Sequence, residues 1–220
     1  MTRQEKVAQA IRIITVPPIM VLALLLLLFF HNKEFFISFI ELLLSVFFLS
    51  VIPLLAYPFS LIIPHYKSKG RDGQRNLAFT LSILGYSGAV MCGIIAGMSK
   101  ELLFIFIFYF SSLLILTLFN QVIGIKASGH ASSITGPLLL TVYFIGSKTI
   151  IPCMLLFGAI LWSSLKLKRH TLREFLLGGF STILAFFLCL IVMHIHFSGV
   201  GTFHIFSNAY LVLKETVPFD

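Results

Sequence analysis

Acidic residues are nearly missing from this chain: there are eight Asp and Glu in 220 positions against sixteen Lys and Arg. Charged residues of both signs together make up only 11%. A surface so poor in charge cannot hold a globular domain in water, which excludes a soluble fold and leaves the integral membrane class. Cysteine is scarce as well. Cys92, Cys153 and Cys189 each lie inside an apolar run without metal-ligand spacing, which argues against a disulfide framework and for small packing residues. No internal repeat, linker or second domain is visible, so residues 1–220 read as one membrane domain. No small-x-small cleavage site follows the first apolar run, which is therefore expected to span rather than to be a signal peptide.

What is abundant is hydrocarbon. Hydrophobic residues reach 58%, with 24 phenylalanines and a mean hydropathy of +1.02. A spanning helix needs about 20 apolar residues. Seven runs qualify or nearly so: Ile11–Phe30, Phe36–Tyr57, Leu77–Met98, Leu102–Ile125, Ser133–Gly146, Ile150–Leu165 and Phe175–Phe197. The fifth and sixth are short. Backbone hydrogen bonding in lipid requires such segments to be helical, so the expected fold is an all-α polytopic bundle of six to seven spans. Pro17 and Pro18 fall near the start of the first run, where a helix best tolerates proline.

Counting crossings puts all but four of the Lys and Arg residues on the side that bears the N-terminus; Lys33, Lys100, Lys148 and Lys214 are the exceptions. Two readings of this asymmetry stand side by side. One is the positive-inside rule. The other is an anion site built from three loops that face the same way: Tyr66–Asn76 (YKSKGRDGQRN), Lys126–Ser133 (KASGHASS) and Ser163–Gly179 (SSLKLKRHTLREFLLGG). In the second, Ser128 is an N-cap candidate, Gly129 allows close approach to the backbone, and a helix start favours an anion. If that segment is helical, Lys126 and His130 share a face. In the third, a helical spacing of four lets Glu174 hold one ring nitrogen of His170 and leave the other free, as a histidine nucleophile requires.

With these residues in view, the chain resembles the type 2 phosphatidic acid phosphatase superfamily of membrane phosphatases, over roughly Lys67 to Gly179 within a core of about 60–197. That family's signatures are K-x6-R-P, P-S-G-H and S-R-x5-H-x3-D. Ser128-Gly129-His130 matches the second, with Ala127 in place of proline. His170 matches the third, with Glu174 in place of aspartate and Ser164 where its arginine is expected. Arg75 matches the first signature's arginine, with Asn76 in place of proline and Ser68, between Lys67 and Lys69, at the lysine position. The resemblance implies that His170 attacks phosphorus, Glu174 fixes its tautomer, and His130 serves as acid and then base. It also implies that Lys126, Ser128, Gly129 and Arg75 bind the phosphate, with Lys67, Lys69, Lys168 and Arg169 as further cations. The implied substrate is a lipid phosphate or diphosphate in contact with membrane lipids; no metal, no other cofactor and no nucleic acid is called for. A non-catalytic binder or transporter of an anionic lipid, and a phosphotransferase, are the alternatives.

Outside these clusters, Glu41 inside the second run is costly and is read as structural. His31, His65, His194, His196 and His204 are read as polar residues at span ends, and Asn120 and Gln121 as helix-to-helix or substrate contacts without an assigned role.

Overall fold

The computed structural model describes residues 2–32 and 35–197, with side chains described up to Met193. The described residues form helices and connecting turns, with no strand among them. We label the helices α1 (Arg3–Ile14), α2 (Pro17–His31), α3 (Phe39–Ile62), α4 (Gly70–Ile95), α5 (Lys100–Val122), α6 (Gly129–Ile145), α7 (Ser147–Lys166) and α8 (Leu172–Phe197). Five of them, α3, α4, α5, α7 and α8, are long and apolar enough to cross a membrane, and the bent pair α1–α2 makes a sixth. The expected all-α bundle is thus the observed architecture, with the properties of a multi-pass membrane protein.

One expectation fails at the first run. Ile11–Phe30 is not a continuous helix; the chain breaks between Ile14 and Pro17, and α1 and α2 meet at 57°. The physical reason is the proline pair. Ring sterics push the residue before proline out of the helical region, and Val16 is extended at φ −62°, ψ 142°. Pro17 then opens a new helix, where its missing N–H costs nothing. What remains upstream is a short amphipathic helix, α1, closed at its start by a capping box between Thr2 and Glu5.

Glu41 also finds its place. It lies in the first turn of α3 behind the N-cap Ser38, and its carboxylate accepts the Ile37 N–H at 2.7 Å, so it caps a helix rather than serving a site. Further along α3 the chain widens into a π-helical turn at Phe47–Val51. There the Phe48 carbonyl pushes so close to α4 that a Cβ at Gly85 would sit 2.4 Å from it.

The core lies where α5, α6 and α8 meet. Phe104, Phe108, Tyr143 and Phe186 pack there edge to face or stacked, with centroids 5.2 to 6.0 Å apart, the arrangement that suits aromatic quadrupoles. Deeper polar cohesion comes from three buried hydroxyls. Ser132 and Thr182 are 2.7 Å apart, and Ser112 completes the triangle at 3.1 and 3.3 Å. A second, smaller apolar cluster of Ala131, Ile134, Ile160 and Phe175, with Ile11 against it, joins α1, α6, α7 and α8 at one end of the bundle. Arg12, His130 and Glu174 adjoin Ile11, Ala131 and Phe175 in sequence, so the cluster brings their backbones to the same end of the bundle.

Candidate functional site: a histidine pair among cations

Each polar segment reaches the site by a different local device. The connection from α5 to α6 is fastened by Asn120. Its amide donates to the Ala127 carbonyl at 3.1 Å and its carbonyl accepts the Ala127 N–H at 3.0 Å. The next residue, Ser128, is extended, caps α6 through the Ala131 N–H at 3.2 Å, and donates its own N–H to the Glu174 carbonyl at 2.8 Å. Packing between α6 and α8 is tight here because Gly178 lacks a side chain; a Cβ on it would stand 2.2 Å from the Ser128 carbonyl oxygen. Asn120→Ala removes the clamp and leaves backbone groups of Ala127, which is 7% exposed, without partners. We expect a loss of about 1–2 kcal/mol of stability, read as a lowered unfolding temperature in detergent.

Because α6 begins only at Gly129, Lys126 precedes the helix, and the helical condition under which it would share a face with His130 is not met. The Asn120 clamp is the cause, since it holds the preceding residues out of helical register. Lys126 instead lies within electrostatic reach of the Glu174 carboxylate. A similar correction applies to His170. It stands in the turn ahead of α8 rather than on the helix, because Thr171 takes the cap: its hydroxyl accepts the Glu174 N–H at 3.2 Å while the Glu174 carboxylate accepts the Thr171 N–H at 3.1 Å. The expected partnership survives by this other route. His170 Nδ1 is 3.5 Å from Glu174 Oε2, within ion-pair range, and the other ring nitrogen, Nε2, is left out of that pairing. Glu174 therefore does two jobs, capping α8 and steering the imidazole.

The two histidines lie within electrostatic reach of one another. His130, in the first turn of α6 ahead of the apolar stretch, has its pKa pushed down to about 3, first by burial and then by the charges of Arg12 and His170. His170 is also lowered, chiefly by burial; Glu174 opposes the shift while Arg12 and Arg75 add to it. Both rings are thus neutral near pH 7. The Tyr66–Asn76 segment contributes differently from a loop. Gly70, at φ +54°, ends a short turn of helix and α4 starts there, so Arg71 and Arg75 stand one turn apart on its first turns. Arg75 pairs loosely with Asp72 at 3.7 Å, both largely exposed.

Other predicted cations divide. The Arg169 charge reaches Arg12, as does that of Arg71. Lys69 turns its ammonium to His65 Nε2 at 3.1 Å, Lys67 is exposed at the end of the turn Pro64–Lys67, and Lys168 is exposed in the turn after α7 at φ +50°. Among the described residues none of these three contacts the histidines. Ser164, at the position where arginine was expected, is 2% exposed and its hydroxyl finds no hydrogen-bond partner. His194, His196 and His204 lie outside the residues whose side chains are described. Among the described residues no three His, Cys, Asp or Glu side chains gather as metal ligands would.

Sequence reading missed two contributors. Asn120, named above without a role, positions the segment that carries Ser128, and Arg12 brings its charge to both histidines from α1. A signal for the second was present: an arginine between Ile11 and Ile13 in an apolar stretch is costly and wants a reason. The arrangement offers two neutral imidazoles within electrostatic reach of each other, a carboxylate beside one of them, and several cations nearby. It is suited to an anion whose phosphorus or carbon is attacked by one ring while the other moves a proton. No protein-family model, curated protein or solved structure matches the chain.

Proposed function

We propose that this protein is a membrane-embedded lipid phosphate phosphatase, related to the type 2 phosphatidic acid phosphatases, that works through a phosphohistidine. The observation that carries this reading is the His130–His170 pair, with Glu174 behind His170 and arginine charge on both rings. In the first step the free Nε2 of His170 attacks phosphorus as the bond from phosphorus to the lipid oxygen breaks. Glu174 stabilises the resulting imidazolium through Nδ1–H. The leaving oxygen takes its proton from His130, which becomes protonated when a dianion enters and offsets the surrounding positive charge. Water then attacks the phosphohistidine, His130 accepts a proton from it, and the Nε2–phosphorus bond breaks to release inorganic phosphate. Lys126, Arg75 and Arg169 neutralise the non-bridging oxygens. The N–H groups of Gly129 and His130, in the first turn of α6, have no carbonyl of their own helix to bond and are free to donate to the same anion.

A phosphate-release screen of purified protein against phosphatidate, phosphatidylglycerol phosphate and prenyl diphosphates tests the reading. Release from at least one is expected. Saturable lipid association without any release would instead favour an anionic-lipid binder, and faster release with an added alcohol acceptor would favour a phosphotransferase. Fixed cations do the electrostatic work here, so activity is expected to persist in EDTA; a complete loss restored by a divalent ion would overturn this mechanism. The cation-rich end carries the site, and by the positive-inside rule that end faces the cytoplasm. Labelling a cysteine engineered at Lys69 with an impermeant reagent in intact cells tests that placement.

A further inference from the structure

Arg12 brings its charge to both histidines and no step above uses it. Its helix is locked in place. Ser163 of α7 donates to the Ala8 carbonyl at 2.6 Å, Ala8 is fully buried, and Ile11 packs against Ala131, Ile134, Ile160 and Phe175. Arg12 follows Ile11 directly, so its backbone is held beside that apolar cluster. The Nη1 nitrogen of its guanidinium is buried and has no hydrogen-bond partner. An arginine that merely snorkelled from α1 would keep that group in water. One held in a structural ion pair would face a carboxylate, yet the groups within its electrostatic reach are Arg169, Arg71, the Tyr57 phenol and the two neutral histidines. A buried guanidinium nitrogen with other arginine charge nearby and no bonded partner is unfavourable unless an anion joins it.

We infer that Arg12 is a ligand for a tetrahedral oxyanion held between His130 and His170, so that α1 completes the site instead of only anchoring the chain. The guanidinium fork matches two oxygens of a phosphate group, and a lysine ammonium does not reproduce it. The ligand chemistry is that of a phosphate monoester headgroup or of free phosphate. This assignment shares the site of the proposed phosphatase, but it concerns binding and can be tested apart from turnover.

The experiment titrates the full chain in detergent with inorganic phosphate and with orthovanadate. In parallel, binding is measured to nanodiscs containing phosphatidate and to nanodiscs of phosphatidylcholine alone. Arg12→Gln is expected to weaken oxyanion binding by at least about tenfold, and Arg12→Lys, which keeps charge and stem, by a smaller but measurable factor. Arg3→Gln, on the exposed start of α1, serves as the control for general surface charge and is expected to bind as the parent does. Arg12-dependent preference for phosphatidate nanodiscs identifies the headgroup as the source; dependence seen with inorganic phosphate alone identifies free phosphate. Either supports the assignment. Parent-like affinity in a folded Arg12→Gln variant overturns it, and if that variant does not fold, parent-like affinity in Arg12→Lys does so. A parent protein that binds no oxyanion at all also overturns it. If the parent binds phosphate through Arg12 but releases none from any lipid phosphate, the phosphatase reading falls and the assignment of Arg12 stands.

Discussion

Replacing His170 with alanine is expected to abolish phosphate release from a lipid phosphate, by about 1,000-fold or more, while the protein still inserts and folds. The size follows from the role. Without a nucleophile there is no covalent intermediate, and what remains is the residual effect of binding and charge. The fold is expected to tolerate the change because His170 sits in a turn, is only partly buried, and belongs to neither apolar cluster. Glu174→Gln provides the matching test of its partner. Glutamine keeps an oxygen for the Thr171 N–H, so the cap of α8 persists, but it removes the charge that stabilises the imidazolium. A loss on the order of 100-fold in kcat with little change in unfolding temperature is expected. Full activity in His170→Ala, measured as phosphate release by purified and correctly folded protein, would sink the catalytic proposal.

Acid is expected to destabilise the protein through His130. The ordinary histidine pKa of 6.5 applies in the unfolded chain, whereas the folded value is about 3. The unfolded state therefore binds the proton first, and stability that is complete above about pH 6.5 drains away as pH falls toward 3. Each step of one pH below 6.5 costs about 1.4 kcal/mol, so moving from neutral pH to pH 5 removes about 2 kcal/mol through His130 alone. His170, lowered in the same direction, adds to the loss. The groups facing His130 that set this behaviour are Arg12 on α1 and His170 ahead of α8; Arg75 and Glu174 act through His170. Thermal unfolding in detergent across that range checks the slope. His130→Asn should flatten it, and an equally steep slope in that variant would assign the acid sensitivity elsewhere.

How far the residues disclosed this arrangement depends on which force fixed each part. Long apolar runs gave the positions of α3, α4, α5, α7 and α8 closely, because lipid leaves a hydrophobic segment no choice but a helix. Helix starts were harder. Gly70–Asn76 looked like a loop by its charge and glycine, yet it continues α4, since charge alone does not interrupt a helix that leaves the apolar layer. The break at Val16 was written in Pro17-Pro18, but proline near a helix start and proline that starts a new helix look alike in sequence. His170 and Glu174 met as their spacing of four suggested, though through a capping turn. Arg12 stayed hidden because the positive-inside rule already accounted for any basic residue near the N-terminus. Only the burial of its guanidinium, which depends on Ser163 gripping the Ala8 carbonyl 155 residues away in sequence, separates it from the others.

The two short apolar helices have a shared consequence. At 1.5 Å per residue, the 15 residues of α2 and the 17 of α6 extend only about 22 and 25 Å. The hydrocarbon layer is about 30 Å thick. These two helices pack side by side, so their deficits coincide and do not average out around the bundle. Lipids bordering that seam must shorten or tilt to meet it. In the proposed phosphatase, a dip beside the first turn of α6 would bring the water boundary down toward the imidazoles and let a headgroup reach them while its acyl chains stay among their neighbours.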